Sequence, residues 1–87
     1  MTWLLAFSRT AAKDVSKLAS AGLKPKAQEL LDVMRRNPWK NPPPYEKLIG
    51  EVSGAYSLRI NRQHRLVYQI DEIGRRIDIL RMWTHHE

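Results

Sequence analysis

The chain reads as an α+β domain: an opening strand, a hairpin of two helices, then an antiparallel meander of three strands, in the order β-α-α-β-β-β. Three observations predict this. Two segments before residue 37 carry apolar residues at helical spacing. Three later segments are rich in aliphatic and aromatic residues and are separated by short polar or Gly-containing links. A proline cluster divides the two halves. Helices grouped ahead of strands make a small antiparallel sheet with the helical hairpin on one face; the other face receives the polar alternates of each strand. Eighty-seven residues hold a single domain, 1–87, and no internal repeat or low-complexity tract divides it.

Trp3-Leu4-Leu5-Ala6-Phe7 is an apolar run that reads as the first strand. It has no basic segment ahead of it and is too short for a signal sequence or a membrane span. Ser8 or Thr10 can cap the first helix, because a hydroxyl accepts from the open amides of a first helical turn. From Arg9 to Ala21, Ala12, Val15, Leu18 and Ala19 form a helical stripe. Gly22 stops this helix by tolerating a positive φ, and Pro25 suits the first turn of the next. Ala27, Leu30, Leu31 and Met34 mark the second helix, with Arg35 and Arg36 at its end complementing the dipole. Asn37-Pro38 terminates it.

The stretch from Asn37 to Tyr45 holds four of the five prolines. It reads as an extended, stiff connector pinned by Trp39 rather than as a Pro-rich ligand, since the run is so short. Glu46-Lys47-Leu48 leads to turn residues at Gly50 and Ser53-Gly54. Tyr56 to Asn61 alternates, Tyr56, Leu58 and Ile60 on one face and Ser57, Arg59 and Asn61 on the other. His64 to Ile70 and Arg76 to Trp83 supply the remaining strands, with Asp71-Glu72-Ile73-Gly74 as the turn between them.

Charge narrows the partners. Fifteen Lys and Arg against nine Asp and Glu give a net charge of +6, and the pI is near 10.1. Residues 1–45 carry eight basic and three acidic groups, and the stretch from Val52 to Ile70 carries Arg59, Arg62 and Arg65 with no acid. A polyanion is the expected partner: nucleic acid, a ribosome or an acidic protein. With no cysteine there is no disulfide framework and no thiolate metal site. The expected setting is the cytoplasm, without membrane attachment.

Arg59 and Arg65 belong to adjacent strands joined by a short link, so their side chains can converge on a phosphate, which favours planar bidentate donors. Spacing leaves this reading and a plain solvated strand face both open. Glu46 enters the sheet region after the prolines, and His85 and His86 end the last strand. A carboxylate, an imidazole and a guanidinium brought together could cleave RNA without a metal. The carboxylate takes the proton of a ribose 2′-OH, the imidazole gives one to the leaving 5′-oxygen, and the guanidinium meets the charge developing on phosphorus. Taken singly, a glutamate is usually surface and terminal histidines usually fray. His85 and His86 are adjacent, so on a strand they face opposite ways, and no metal or other cofactor is expected. His64 reads as a packing or hydrogen-bonding residue rather than a catalyst.

Several segments together carry a resemblance. Ser53-Gly54-Ala55-Tyr56-Ser57-Leu58-Arg59-Ile60 followed by His64-Arg65-Leu66-Val67-Tyr68 resembles the signature of YoeB/Txe-type toxins of the RelE/ParE superfamily. So do the helix exit Arg35 to Trp39, the Glu-x-Leu at Glu46 to Leu48, and the ending Arg81-Met82-Trp83-Thr84-His85-His86-Glu87. The resemblance spans nearly the whole chain. It implies an endoribonuclease that cuts mRNA on the ribosome and is inhibited by a cognate antitoxin of the YefM/Axe/Phd kind, with a homodimer as a further implied assembly. By position, Glu46 matches the family's general base, His85 its general acid, Arg65 its transition-state arginine and Arg59 a phosphate-binding arginine. His86 stands where the family commonly has a tyrosine and is expected to meet the RNA there. The basic residues of the helical hairpin would hold ribosomal RNA. Two alternatives use the same fold: a ParE-like gyrase poison, and a module that binds RNA or the ribosome without chemistry.

Overall fold

Both helices form where the apolar spacing predicts them. In the computed structural model, which describes residues 2–42, 44–47 and 54–83, α1 spans Arg9–Ser20 and α2 spans Lys24–Arg36. Ser8 is the N-cap of α1: its hydroxyl oxygen accepts from the Ala11 amide at 3.0 Å and the hydroxyl donates to the Leu80 carbonyl at 2.8 Å. One side chain therefore starts the helix and ties it to the last strand. Gly22, at φ +73°, makes the turn between the helices. In α2 the predicted stripe of Ala27, Leu30, Leu31 and Met34 is buried.

In α1 the buried face differs from the predicted one. Ala11, Asp14 and Leu18 are buried, while Ala12 and Ala19 are exposed and Val15 is half-buried. The stripe is rotated because position 14, an acid, turns inward. An apolar count cannot register such a residue; the partners that make its burial tolerable come from the far end of the chain.

The strands are β1 (Leu4–Phe7), β2 (Tyr45–Lys47), β3 (Ala55–Arg59), β4 (Arg65–Asp71) and β5 (Arg76–Arg81). They form one sheet in the order β1-β5-β4-β3-β2. The α+β class and the helices-before-meander order hold, and the structure adds two features. β2 is a separate three-residue strand, paired antiparallel with β3. It is too short, and too close to the prolines, to show an alternating pattern. β1 pairs parallel with β5, so the sheet is mixed. The helical hairpin carries the chain across the sheet from β1 at one edge to β2 at the other, and the antiparallel meander β2–β5 returns it to lie beside β1.

The helices cover one face of the sheet, and the core lies between. Leu18, Leu30 and Met34 from the helices pack in one cluster with Leu58, Leu66, Tyr68, Ile77 and Ile79 from the strands. Trp3 meets Trp39 edge to face at 5.4 Å, which pins the proline connector as the sequence predicts. The opposite sheet face is built from Glu46, Ser57, Arg59 and Arg65, side chains that alternate with the core residues of β2, β3 and β4. Among the described residues, no helix is long and apolar enough to cross a membrane.

Candidate active site

Register brings the first three residues together. Glu46 on β2 lies opposite Ser57 on β3, two positions before Arg59; Arg59 lies opposite Arg65 on β4. Side chains two apart on a strand share a face, so Glu46, Ser57, Arg59 and Arg65 all point to the side away from the helices. They line a hollow of about 220 Å³ together with Pro44. A carboxylate oxygen of Glu46 lies 3.7 Å from a guanidinium nitrogen of Arg65.

The exposure of the two partners differs in a way that bears on chemistry. Glu46 keeps 67% of its side-chain surface open, whereas Arg65 keeps 19%. The guanidinium is set into the wall and the carboxylate stands at the mouth. Arg59 is exposed beside them. Like charges placed directly across two strands repel, and one carboxylate among two guanidinia leaves the hollow net positive. It is therefore an electrostatic seat for an anion, with room for a phosphate and part of a ribose. Ser57 forms part of the lining and is buried to 4% exposure. The alternation places Ser57 on this face, but nothing in the sequence marks it as a pocket residue.

β5 runs beside β4, the strand that carries Arg65. Val67 pairs with Arg81, after a shift in register between Val67 and Tyr68. Continuing antiparallel, Trp83 arrives beside the start of β4, and its indole stacks on the His64 imidazole with ring centres 3.7 Å apart and planes at 20°. His64 is buried and its amide donates to the Asn61 side chain at 2.8 Å, so it packs and hydrogen-bonds as the sequence predicts. It is also the chain neighbour of Arg65. His85 and His86 lie outside the described residues. Among the described residues, no three His, Cys, Asp or Glu side chains are grouped to hold a metal ion.

A second acid, Asp14, escapes the sequence patterns altogether. It is 1% exposed. Its Oδ2 accepts from Arg81 Nε at 3.1 Å, the Met82 amide at 3.0 Å and the Trp83 amide at 3.1 Å. The one signal that could have found it is its position, three after Ala11 and four before Leu18, in line with a buried helix face.

Residues 7–86 match the sequence profile of the YoeB-like toxin of bacterial type II toxin-antitoxin systems. The chain belongs to this family. Among solved structures it is similar to YoeB of Staphylococcus aureus, solved as a dimer and in a heterotetrameric complex with YefM. Identity there is 31%, the TM-score is 0.80, and 99% of this chain and 100% of that one are covered. A YoeB/ParE toxin from Agrobacterium tumefaciens shares 25% identity at a TM-score of 0.84, covering 95% of this chain and 99% of the other. The toxin-antitoxin complex RelBE2 of Mycobacterium tuberculosis matches at 27% identity and a TM-score of 0.75, covering 99% and 100%. A comparison with curated proteins finds no match. This YoeB-like toxin thus carries its hollow on the sheet face that the helices leave open.

Proposed function

We propose that this toxin is a ribosome-dependent endoribonuclease that cuts mRNA through the ribose 2′-OH, with Glu46, Arg65 and His85 as its catalytic residues. The observation that carries the reading is the hollow itself, in which an accessible carboxylate and two arginines converge from three neighbouring strands. With the scissile phosphate between Arg59 and Arg65, Glu46 at the mouth can reach the adjacent 2′-OH and accept its proton. The 2′-oxygen attacks phosphorus, and negative charge builds on the non-bridging oxygens beside the two guanidinia. His85 protonates the departing 5′-oxygen. The reaction leaves a 2′,3′-cyclic phosphate on one fragment and a 5′-hydroxyl on the other. His85 is two positions beyond Trp83, a reach of no more than about 7 Å between α-carbons, and Trp83 is stacked against the neighbour of Arg65. His86 contacts the RNA next to it. RNA supplies the nucleophile, so neither metal nor other cofactor takes part.

The basic helical hairpin, with its lysines and Arg35 and Arg36, faces ribosomal RNA in the cytoplasm. A YefM-like antitoxin is the partner that silences the toxin, by analogy with the Staphylococcus aureus complex, and a toxin dimer is a further assembly of that relative.

The test is primer extension on mRNA-programmed ribosomes treated with the purified protein, with the ends of the fragments identified chemically. In-frame cuts with cyclic-phosphate ends, formed about 10³-fold more slowly by Arg65→Ala and His85→Ala, are expected. Toxicity with intact mRNA in those variants would overturn the reading in favour of a gyrase poison. A sulfur-for-oxygen replacement at the scissile phosphate should show no rescue by thiophilic cations; such rescue would indicate a metal in the step.

A further inference from the structure

Asp14 lies outside the hollow and takes no part in the chemistry above, yet it holds the segment that leads to His85. Its Oδ2 gathers the Arg81 guanidinium and the amides of Met82 and Trp83, and Lys17 Nζ lies 4.0 Å from the other oxygen. Arg81 Nη2 also donates to the Trp83 carbonyl at 3.1 Å. His64 stacks on the Trp83 ring. Residues 81–83 are thus clamped between α1 and the link that joins β3 to β4. The ladder pairing of β5 ends at Arg81, so side chains hold Met82 and Trp83 in place.

A carboxylate buried in this way is costly unless its donors are placed well, and an apolar side chain on the same helix face would avoid that cost. The carboxylate adds geometry: three donors converging on one oxygen fix the backbone of Met82 and Trp83 against α1. We infer that Asp14 is a positioning residue, acting on the step assigned to His85 through its clamp on residues 81–83. The inference rests on the nuclease reading. A misplacement of about 1 Å at a reacting group can cost roughly a hundredfold in rate.

Two measurements on Asp14→Asn test it. The first is single-turnover cleavage on programmed ribosomes in a double-mutant cycle with His85→Ala. Asp14→Asn alone should slow cleavage about tenfold or more without changing the ribosome concentration at half-saturation, and should add less than about twofold in the His85→Ala background. Losses that multiply would show that Asp14 does not act through His85. The second is amide hydrogen exchange, where Met82 and Trp83 should exchange at least about tenfold faster while Leu66 and Tyr68 stay protected. Unchanged exchange at Met82 and Trp83 in an active protein overturns the clamp alone. Should Asp14→Asn fail to fold, Arg81→Gln removes the guanidinium at a side chain 43% exposed and carries both measurements, with a smaller rate loss of about threefold. Wild-type protein that cuts nothing overturns the nuclease reading and the role of His85 with it.

Discussion

Asp14 with Arg81 and Glu46 with Arg65 are both carboxylate–guanidinium pairs, on opposite sides of one sheet. In the first, the carboxylate is 2% exposed, the nitrogen–oxygen distance is 3.1 Å, and two backbone amides complete the shell. In the second, the carboxylate is 67% exposed and the distance is 3.7 Å. A buried acid must have its donors in place, because desolvation otherwise dominates. An acid at the mouth of a hollow stays hydrated and keeps acceptor capacity for a substrate proton. One chain thus holds the same chemical pair closed and dry in one place and open to solvent in another, where the proposed nuclease reading puts its chemistry.

Variants in the open pair should separate activity from stability most sharply. Glu46→Gln and Arg65→Ala are expected to lower cleavage by about 10³-fold, roughly 4 kcal/mol of transition-state stabilisation. Glu46→Gln should at the same time change unfolding free energy by less than about 0.5 kcal/mol in a urea titration. A large loss of stability there would erase the contrast between the pairs.

The closed pair should behave the other way. Asp14→Ala strands two amides and a guanidinium and is expected to cost about 3 kcal/mol of stability, read as a lower urea midpoint with unchanged slope. A neutral result would mean that the shell around Asp14 is replaced by water.

Tyr68 extends the comparison to a buried polar group with nothing to offset it. Its hydroxyl has no hydrogen-bond partner among the described residues. Tyr68→Phe should raise stability by about 1 kcal/mol. Burial first, then the phenols of Tyr45 and Tyr56, push the Tyr68 pKa up from its ordinary 10.0. The unfolded chain therefore gives up this proton before the folded one does, and the Tyr68 contribution to stability is lost as pH climbs past 10.0. The advantage of the Phe variant should widen above that pH, and parallel stability curves would contradict this. The smallest effect is expected at Arg76, which pairs on the surface with Asp71 at 3.4 Å and Asp78 at 2.7 Å. Arg76→Ala should leave the thermal midpoint where it is.

Much of this arrangement is legible in the chain. The stripe of α2, the Ser8 cap, the turn at Gly22 and the alternation of Tyr56 to Asn61 are local patterns, fixed by backbone sterics and by the period of each element. The facing of Arg59 and Arg65 comes from a short link between two alternating strands, which leaves little choice of register. β2 is hidden because three residues after a proline run show no period, and the parallel β1–β5 pairing because nothing local records which strand lies beside which.

The order of residues along the chain is enough to set most of the element types, the α+β class and the basic character, since each depends on composition or on neighbours a few positions away. Packing in three dimensions is needed to bring Glu46 to Arg65, to set Ser57 in the lining of the hollow, and to turn Asp14 inward where it holds residues 81–83. Those outcomes depend on contacts between segments up to 69 positions apart, where desolvation and hydrogen-bond completion, rather than spacing, select the partner.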